Sequence, residues 1–483
     1  MKEIALICLA VAAFAAQPAD EWTALVTQAA QAHDRGAYAE SERFYSSALT
    51  IAEKFGPADN RLAVTLANLG TSLRLEGKTQ QAEALYLRAI GIWRSTSEAP
   101  NQLAAALNNL AGIYRTNARY TEAESAYREA LTIDQKELGS DSASVALILS
   151  NLGTVYQDQG KFDSARQFYQ RALEIQQRVL GPNHPDVAST LTHLGDLARR
   201  EWHLQEAEPL YQRAIAIREK ALGPDHPQVA ESLNALAVLY RNEERYADAE
   251  PLYRRTLQIF EKTLGPAQPR VAVALNNLGQ LAAAQHKYPE AKELFERAIA
   301  IWEKAPDSSD SDAAAGFANL AAVYAAQHKY GKAEELYQHA LHINTARFGP
   351  KHLRVAQDLN NLATSCYARH ENAQAEEYLQ QSIAIYERLL GTNDPNLVDP
   401  LLNLAGLYVA EKRFPEAIDL YRRALPLGES ALGNDNPKLA EALESYARAL
   451  RNMEDYAEAE KVEVRATRIR VQTALRAEAS SAP

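Results

Sequence analysis

A tripeptide that returns at a fixed interval constrains this chain more than any other feature. Asn-Leu-Gly or Asn-Leu-Ala begins at Asn68, Asn109, Asn151, Asn277, Asn319, Asn361 and Asn403. Between Asn151 and Asn277 the same slot holds His193-Leu194-Gly195 and Ala235-Leu236-Ala237, so successive starts are 41 residues apart once and 42 thereafter. Extended outward, the ladder lands on Thr27-Gln28-Ala29 and Ser445-Tyr446-Ala447. A period of this size marks an architecture in which one supersecondary unit is copied end to end. Eleven copies run from about residue 21 to the end and leave no room for a second kind of domain.

Each copy reads as two helices. In the fourth, Ile148, Leu152 and Val155-Tyr156 recur at helical spacing between Val145 and Gln159, and the pattern stops at Gly160-Lys161. A second helix begins near Asp163, carries Ala165, Phe168-Tyr169, Ala172-Leu173 and Ile175, and ends at Gly181-Pro182. Glycine favours a helix C-terminus and proline cannot continue one. Similar stops stand at Gly56-Pro57, Gly223-Pro224, Gly265-Pro266 and Gly349-Pro350, so most prolines are punctuation; Pro426 alone is expected to kink a helix. A single hairpin cannot bury its apolar stripe, so neighbours must stack and share a core. Small residues mark where helices approach closely, for example Gly153 and Gly195 in first helices and Ala165 and Ala207 in second ones.

Composition narrows the partners. The chain of 483 residues carries a formal net charge of -11, the reverse of the basic footprint that phosphate backbones require. No stretch approaches the roughly 18 apolar residues of a spanning helix, so stable membrane insertion is not expected. At the N-terminus, Lys2, an apolar run from Ile4 to Ala13 and the small residues Ala15-Ala16 follow the order of a secretory signal peptide over residues 1–16. Export to a periplasmic or extracellular space is therefore expected, a cytoplasmic location being the alternative. With Cys8 in that segment and Cys366 inside a helical pattern, the mature chain has no internal disulfide.

Residues that could carry chemistry fall into repeat slots instead. Nineteen of the 23 tyrosines sit five, eleven or eighteen residues after the Asn position, which makes them packing residues. His339 and His342, with Glu335 nearby, lack the convergent third and fourth ligands of a zinc site. The stretch Asp307 to Asp312 lacks the central Gly and closing Glu of a calcium loop and reads as a cap for a helix starting near Ala313. His184 and His226 recur in the loop between units and His286 and His328 in the loop within them, which argues for turn-stabilising roles. Cys366 takes a slot that several units fill with Tyr, as a buried thiol would. With no phosphate loop, metalloprotease motif or nucleophile elbow, neither an enzyme nor a bound metal or cofactor is expected.

The order of Leu, Gly/Ala, Tyr, Ala, Tyr and Ala slots resembles the tetratricopeptide repeat. The 42-residue form, with Leu-Gly-Pro-x-His-Pro-x-Val-Ala at Leu180–Ala188 and Leu222–Ala230, is similar to the repeats of kinesin light chains and their bacterial relatives. The chain lacks their long N-terminal heptad region. The resemblance implies an all-α, right-handed α-solenoid of about eleven stacked helix-turn-helix repeats over residues 21–476, with a disordered tail at 477–483. It also implies a scaffold whose concave groove, lined by first helices, binds extended peptides or partner proteins.

By that resemblance, Asn68, Asn109, Asn151, Asn277, Asn319, Asn361 and Asn403 hold a peptide backbone, since an amide both donates and accepts; the alternative is that they tie neighbouring helices together. Six residues further on, Arg74, Arg115, Gln157, Arg199 and Arg241 are followed by Ala283, Ala325, Tyr367 and Val409. The N-terminal half of the groove is therefore expected to be basic and to meet acidic residues of a partner, the other half small and apolar. The alternative is that these arginines cover apolar surface or pair with nearby acids. Val462, Val464 and Ile469 among basic residues read as a capping helix. A component that self-assembles or binds envelope glycans remains the alternative function.

Overall fold

The computed structural model describes residues 21–201, 203–304, 310–434 and 436–481, so the expected signal segment lies outside the described residues. Among these there are twenty-two α-helices, two single 3₁₀ turns (Glu53–Phe55 and Pro395–Leu397) and no strand. Twenty-two helices is the number that eleven hairpin units require.

The chain divides into two compact units of the same repeat, meeting in sequence between Leu281 and Ala282. One repeat domain over 21–476 was the expectation. In a stack where each hairpin touches only its neighbours there is no single global core to hold all copies in one unit.

The first unit holds α1 (Glu21–Asp34), α2 (Tyr38–Ala52), α3 (Asn60–Leu75), α4 (Thr79–Thr96), α5 (Pro100–Thr116), α6 (Tyr120–Leu138), α7 (Ala143–Asp158), α8 (Phe162–Val179), α9 (Pro185–Arg200), α10 (Leu204–Leu222), α11 (Pro227–Asn242) and α12 (Tyr246–Leu264). It ends within α13 (Pro269–Ala284). The second holds α14 (Tyr288–Trp302), α15 (Asp310–Ala326), α16 (Tyr330–Phe348), α17 (Leu353–Ala368), α18 (Asn372–Leu390), α19 (Val398–Ala410), α20 (Phe414–Leu432), α21 (Pro437–Asn452) and α22 (Tyr456–Ser481). Within each unit, helices pair as hairpins and each hairpin packs on the next.

Local chemistry explains the boundaries. The His184 and His226 rings each accept a hydrogen bond through Nδ1 from the backbone N–H two residues on, at 3.2 Å, and so cap α9 and α11. Gly181, just past α8, takes a φ of 88°, a conformation that costs glycine nothing. His286 and His328 also adopt positive φ, in the turn inside a hairpin, and each ring bonds a nearby tyrosine hydroxyl, Tyr288 at 2.9 Å and Tyr330 at 2.8 Å. The tyrosines eighteen residues after the Asn slot are buried, and the Tyr169 ring lies against Gly153, where a Cβ would come within 2.7 Å of it.

Two expectations need correction. Pro426 is not the only proline inside a helix: α20 runs unbroken through it, and α10 and α12 carry Pro209 and Pro251 in the same way. All three rings are solvent-exposed, where the lost backbone donor leaves a carbonyl that water can reach. The tail expected to be disordered from Ala477 is helix as far as Ser481, since Ala-Glu-Ala continues α22 without a breaker before Pro483.

Candidate functional site

The first helices carry one recurring polar device. Nδ2 of Asn151 donates to Oδ1 of Asn108 at 2.8 Å, that of Asn277 to Asn234 at 2.8 Å, and that of Asn403 to Asn360 at 2.9 Å. In each case an Asn slot reaches back to the residue just before the Asn slot of the preceding unit. Ser150 and His193 repeat the step at 3.2 Å. These side chains thus tie first helix to first helix, and three of the seven predicted amides have their donor engaged in the stack.

Asn68 and Asn109 behave differently. Both are buried, and their Nδ2 atoms have no hydrogen-bond partner. The acceptor's place in the preceding unit is taken by Val26 for Asn68 and by Ala67 for Asn109. Burial removes both amides from the surface, so these two side chains do not meet solvent as groove contacts would.

The expected basic half is compensated in part. Arg115 pairs with Asp158 at 3.0 Å, Arg199 lies 3.5 Å from Asp196, and Arg241 donates to the Gln280 amide. Gln157 is buried and accepts from the Tyr169 hydroxyl at 2.9 Å. Arg74 is half-buried, with its Nε unpartnered. Asp158 comes from the next first helix and Asp196 from one turn away on the same helix, so two of the four arginine charges in this slot are offset by acids, while the Gln280 amide binds Arg241 without neutralising it.

A depression on the first helices lies in the second unit. A cavity of about 730 Å³ crosses α17, α19 and α21, within the size range of ligand sites. Its lining is mixed, with the polar side chains of Asn360, Thr364, Asn403 and Ser445 among apolar ones such as Leu402 and Leu407, and with Gly406, where a built Cβ meets nothing within 4 Å. Tyr367, 43% exposed, stands on one side with Val409. Tyr421 reaches the cavity from α20, and burial pushes its hydroxyl up to about 12, so it stays neutral. A smaller recess of about 270 Å³ adjoins, lined by Asn361, Gln357 and Asn396 and sharing Asn360, Asp399 and Lys438.

Of the predicted residues, the cavity gathers Asn403, and Asn361 joins through the recess. Tyr367 and Val409 are there as the apolar trend implied, but this end is not simply small and apolar. Asp399, Lys412, Lys438, Glu441 and Arg448 also line it. Sequence reasoning missed Asp399, Gly406, Glu441 and Arg448. They lie four residues before or three after the Asn slot, on the same helical face, so the helical period alone could have found them. Asn319 is half-buried on α15 and lines neither depression.

Two chemical alternatives lose support here. Burial pushes the Cys366 thiol up to about 11, with the Glu371 charge adding to it, which keeps it protonated. Glu334, Cys366 and Glu371 do converge within 4.8 Å, but Arg369 binds both carboxylates, so the set does not fit a cation. His339 packs edge-on against Phe317. Of the acidic stretch, 307–309 lie outside the described residues, and α15 already begins at Asp310 rather than near Ala313.

Comparison with known proteins agrees with this architecture. The family model described as tetratricopeptide repeat matches residues 22–95, 102–175, 144–220, 203–243, 234–304, 312–388 and 396–470. No curated protein matches the chain. Among solved structures, BtubC (BKLC) from P. vanneervenii is 26% identical, covering 49% of this chain and 92% of its own, with a TM-score of 0.40. A putative kinesin light chain from Podosopora anserina, with nearly identical TPR-like repeats, is also 26% identical, covering 42% and 97% respectively, with a TM-score of 0.36.

Proposed function

Because the chain belongs to the tetratricopeptide repeat family, in its kinesin-light-chain-like form, whose members generally act as protein-interaction scaffolds, we propose that it takes an extended segment of a partner protein into the cavity across α17, α19 and α21. One observation carries this reading: the side chains of Asn360, Thr364, Asn403 and Ser445 line one cavity together with an exposed aromatic, Tyr367. Side-chain amides and hydroxyls bond a peptide backbone whatever its sequence, and an exposed tyrosine offers apolar area at low entropic cost. The Asn360 oxygen keeps one lone pair after accepting from Asn403, and the Asn403 oxygen takes no part in that bond. Acidic residues on the partner belong to the same reading and meet Lys412 and Arg448, which line this cavity. Catalysis forms no part of it.

Gly406 offers the test, because a phenylalanine there projects into open space instead of into the fold. The immobilised chain and its Gly406→Phe variant are compared for the proteins each retains from cell extract, with thermal melting as the folding control. Partners retained by the first and lost from the second support the groove; identical sets from two equally stable proteins would sink it. The location of those partners depends on residues 1–16 acting as a cleaved export signal. Sequencing the mature N-terminus should then find a start at Ala16 or Gln17, and an intact Met1 would refute export by cleavage.

A second reading, self-association, is favoured by α22. Val464, Val471 and Leu475 lie on one face of that helix and are all more than half exposed. Sedimentation at rising concentration separates the readings: a single monomeric species removes this one.

A further inference from the structure

The cavity has two rims of opposite sign. First helices α17, α19 and α21 run in the same sense, each separated from the next by one antiparallel partner, so their N-terminal turns share one edge and their C-terminal turns the other. Asp399 and Glu441 stand at the first edge. Arg448, together with Lys412 in the turn after α19, stands at the second. The separation along the helices is seven residues from Glu441 to Arg448, or about 10 Å. All four side chains are solvent-exposed, and none forms an ion pair within 4 Å among the described residues. Elsewhere on the first helices, charges such as Arg115 are compensated within the stack. Here they are not.

An extended chain sends successive side chains to opposite edges. Resting on this groove as the binding site, we infer that the partner segment is an extended peptide of alternating charge, its acidic side chains turned to Lys412 and Arg448 and its basic ones to Asp399 and Glu441. Charge complementarity of this kind fixes register and rejects other sequences more than it adds raw affinity. Lys438, exposed one turn before Glu441, weakens the acidic rim and makes it the less selective of the two.

The test uses the full chain and three labelled synthetic peptides of equal length: alternating Glu-Lys, the same residues as one Glu block and one Lys block, and a neutral Gln-Leu peptide. Both charged peptides have the same net charge, but the block peptide sends half of its side chains to the wrong rim. The alternating peptide is expected to bind at least about tenfold tighter than the block peptide at low salt, with the advantage shrinking as salt rises. Reversing one rim, with Lys412→Glu and Arg448→Glu, should abolish the preference. Reversing both, by adding Asp399→Lys and Glu441→Lys, should restore it, because a shift of one residue realigns the strand. Lys438→Gln should widen it. Equal binding of the two charged peptides, no binding of the alternating one, or a double-rim variant that does not recover would each overturn the inference. Neutral-peptide binding that Gly406→Phe removes, with no preference between the charged peptides, would leave the groove standing and the rims without a role.

Discussion

Nδ2 of Asn403 donates to Oδ1 of Asn360 at 2.9 Å, joining the middle helix of the groove to the helix before it. The bond restrains the orientation of both amides, and both line the cavity. Because both residues are only half-buried, the bond's loss is softened by water. Asn360→Ala and Asn403→Ala should each cost about 1 kcal/mol, with the double variant costing little more than either. A double-mutant cycle in urea checks this; fully additive costs would mean that the two amides act independently.

Gly153 and Gly406 occupy neighbouring slots in equivalent helices, yet they should respond to alanine with opposite sign. At Gly153 the new methyl would come within 2.7 Å of Cε1 of Tyr169, a buried ring with no room to retreat. At Gly406 it meets nothing within 4 Å. Gly153→Ala should therefore destabilise by about 1–3 kcal/mol through overpacking. Gly406→Ala should stabilise by roughly 0.5–1 kcal/mol, the usual gain when glycine leaves a helix interior. Melting temperatures moving in the same direction would contradict the packing described for these two helices.

The recurrence of Asn-Leu-Gly/Ala made the hairpins, the buried tyrosines and Asn403 legible from the chain alone, because each follows from a local period. What was hidden depends on which residue of one copy lies beside which residue of the next. The pairing of Arg115 with Asp158 and of Asn151 with Asn108 spans 43 residues in each case, one more than the repeat, and only the register of the stack reveals it. The same register buries Asn109 beside Ala67 and leaves its donor unmatched. Asp399, Gly406, Glu441 and Arg448 were readable in principle, lying at helical spacing from the Asn slots, but the slot six residues on drew the reading toward a different strip. Pro209 and Pro251 were hidden for another reason: an exposed proline in a well-packed helix costs less than the stack returns.

Asp358 should make the second unit's stability fall as pH rises. Its carboxyl is 5% exposed and accepts from Nδ2 of Asn344 at 2.6 Å, and burial raises its pKa to about 6 against the partial opposition of that hydrogen bond and of Arg354. An unfolded aspartate titrates near 4. Between those two values the folded form holds a proton that the unfolded form has released, so folding is favoured on the acid side. Stability from this group is complete below pH 4 and is lost as pH climbs through 6; the shift corresponds to roughly 2–3 kcal/mol. Asp358→Asn keeps an acceptor for Asn344 and removes the charge. It should melt higher than the parent at pH 7.5 and match it at pH 4. A difference between the two proteins that does not change across that range would mean that the carboxyl is ionised, and tolerated, in the folded state.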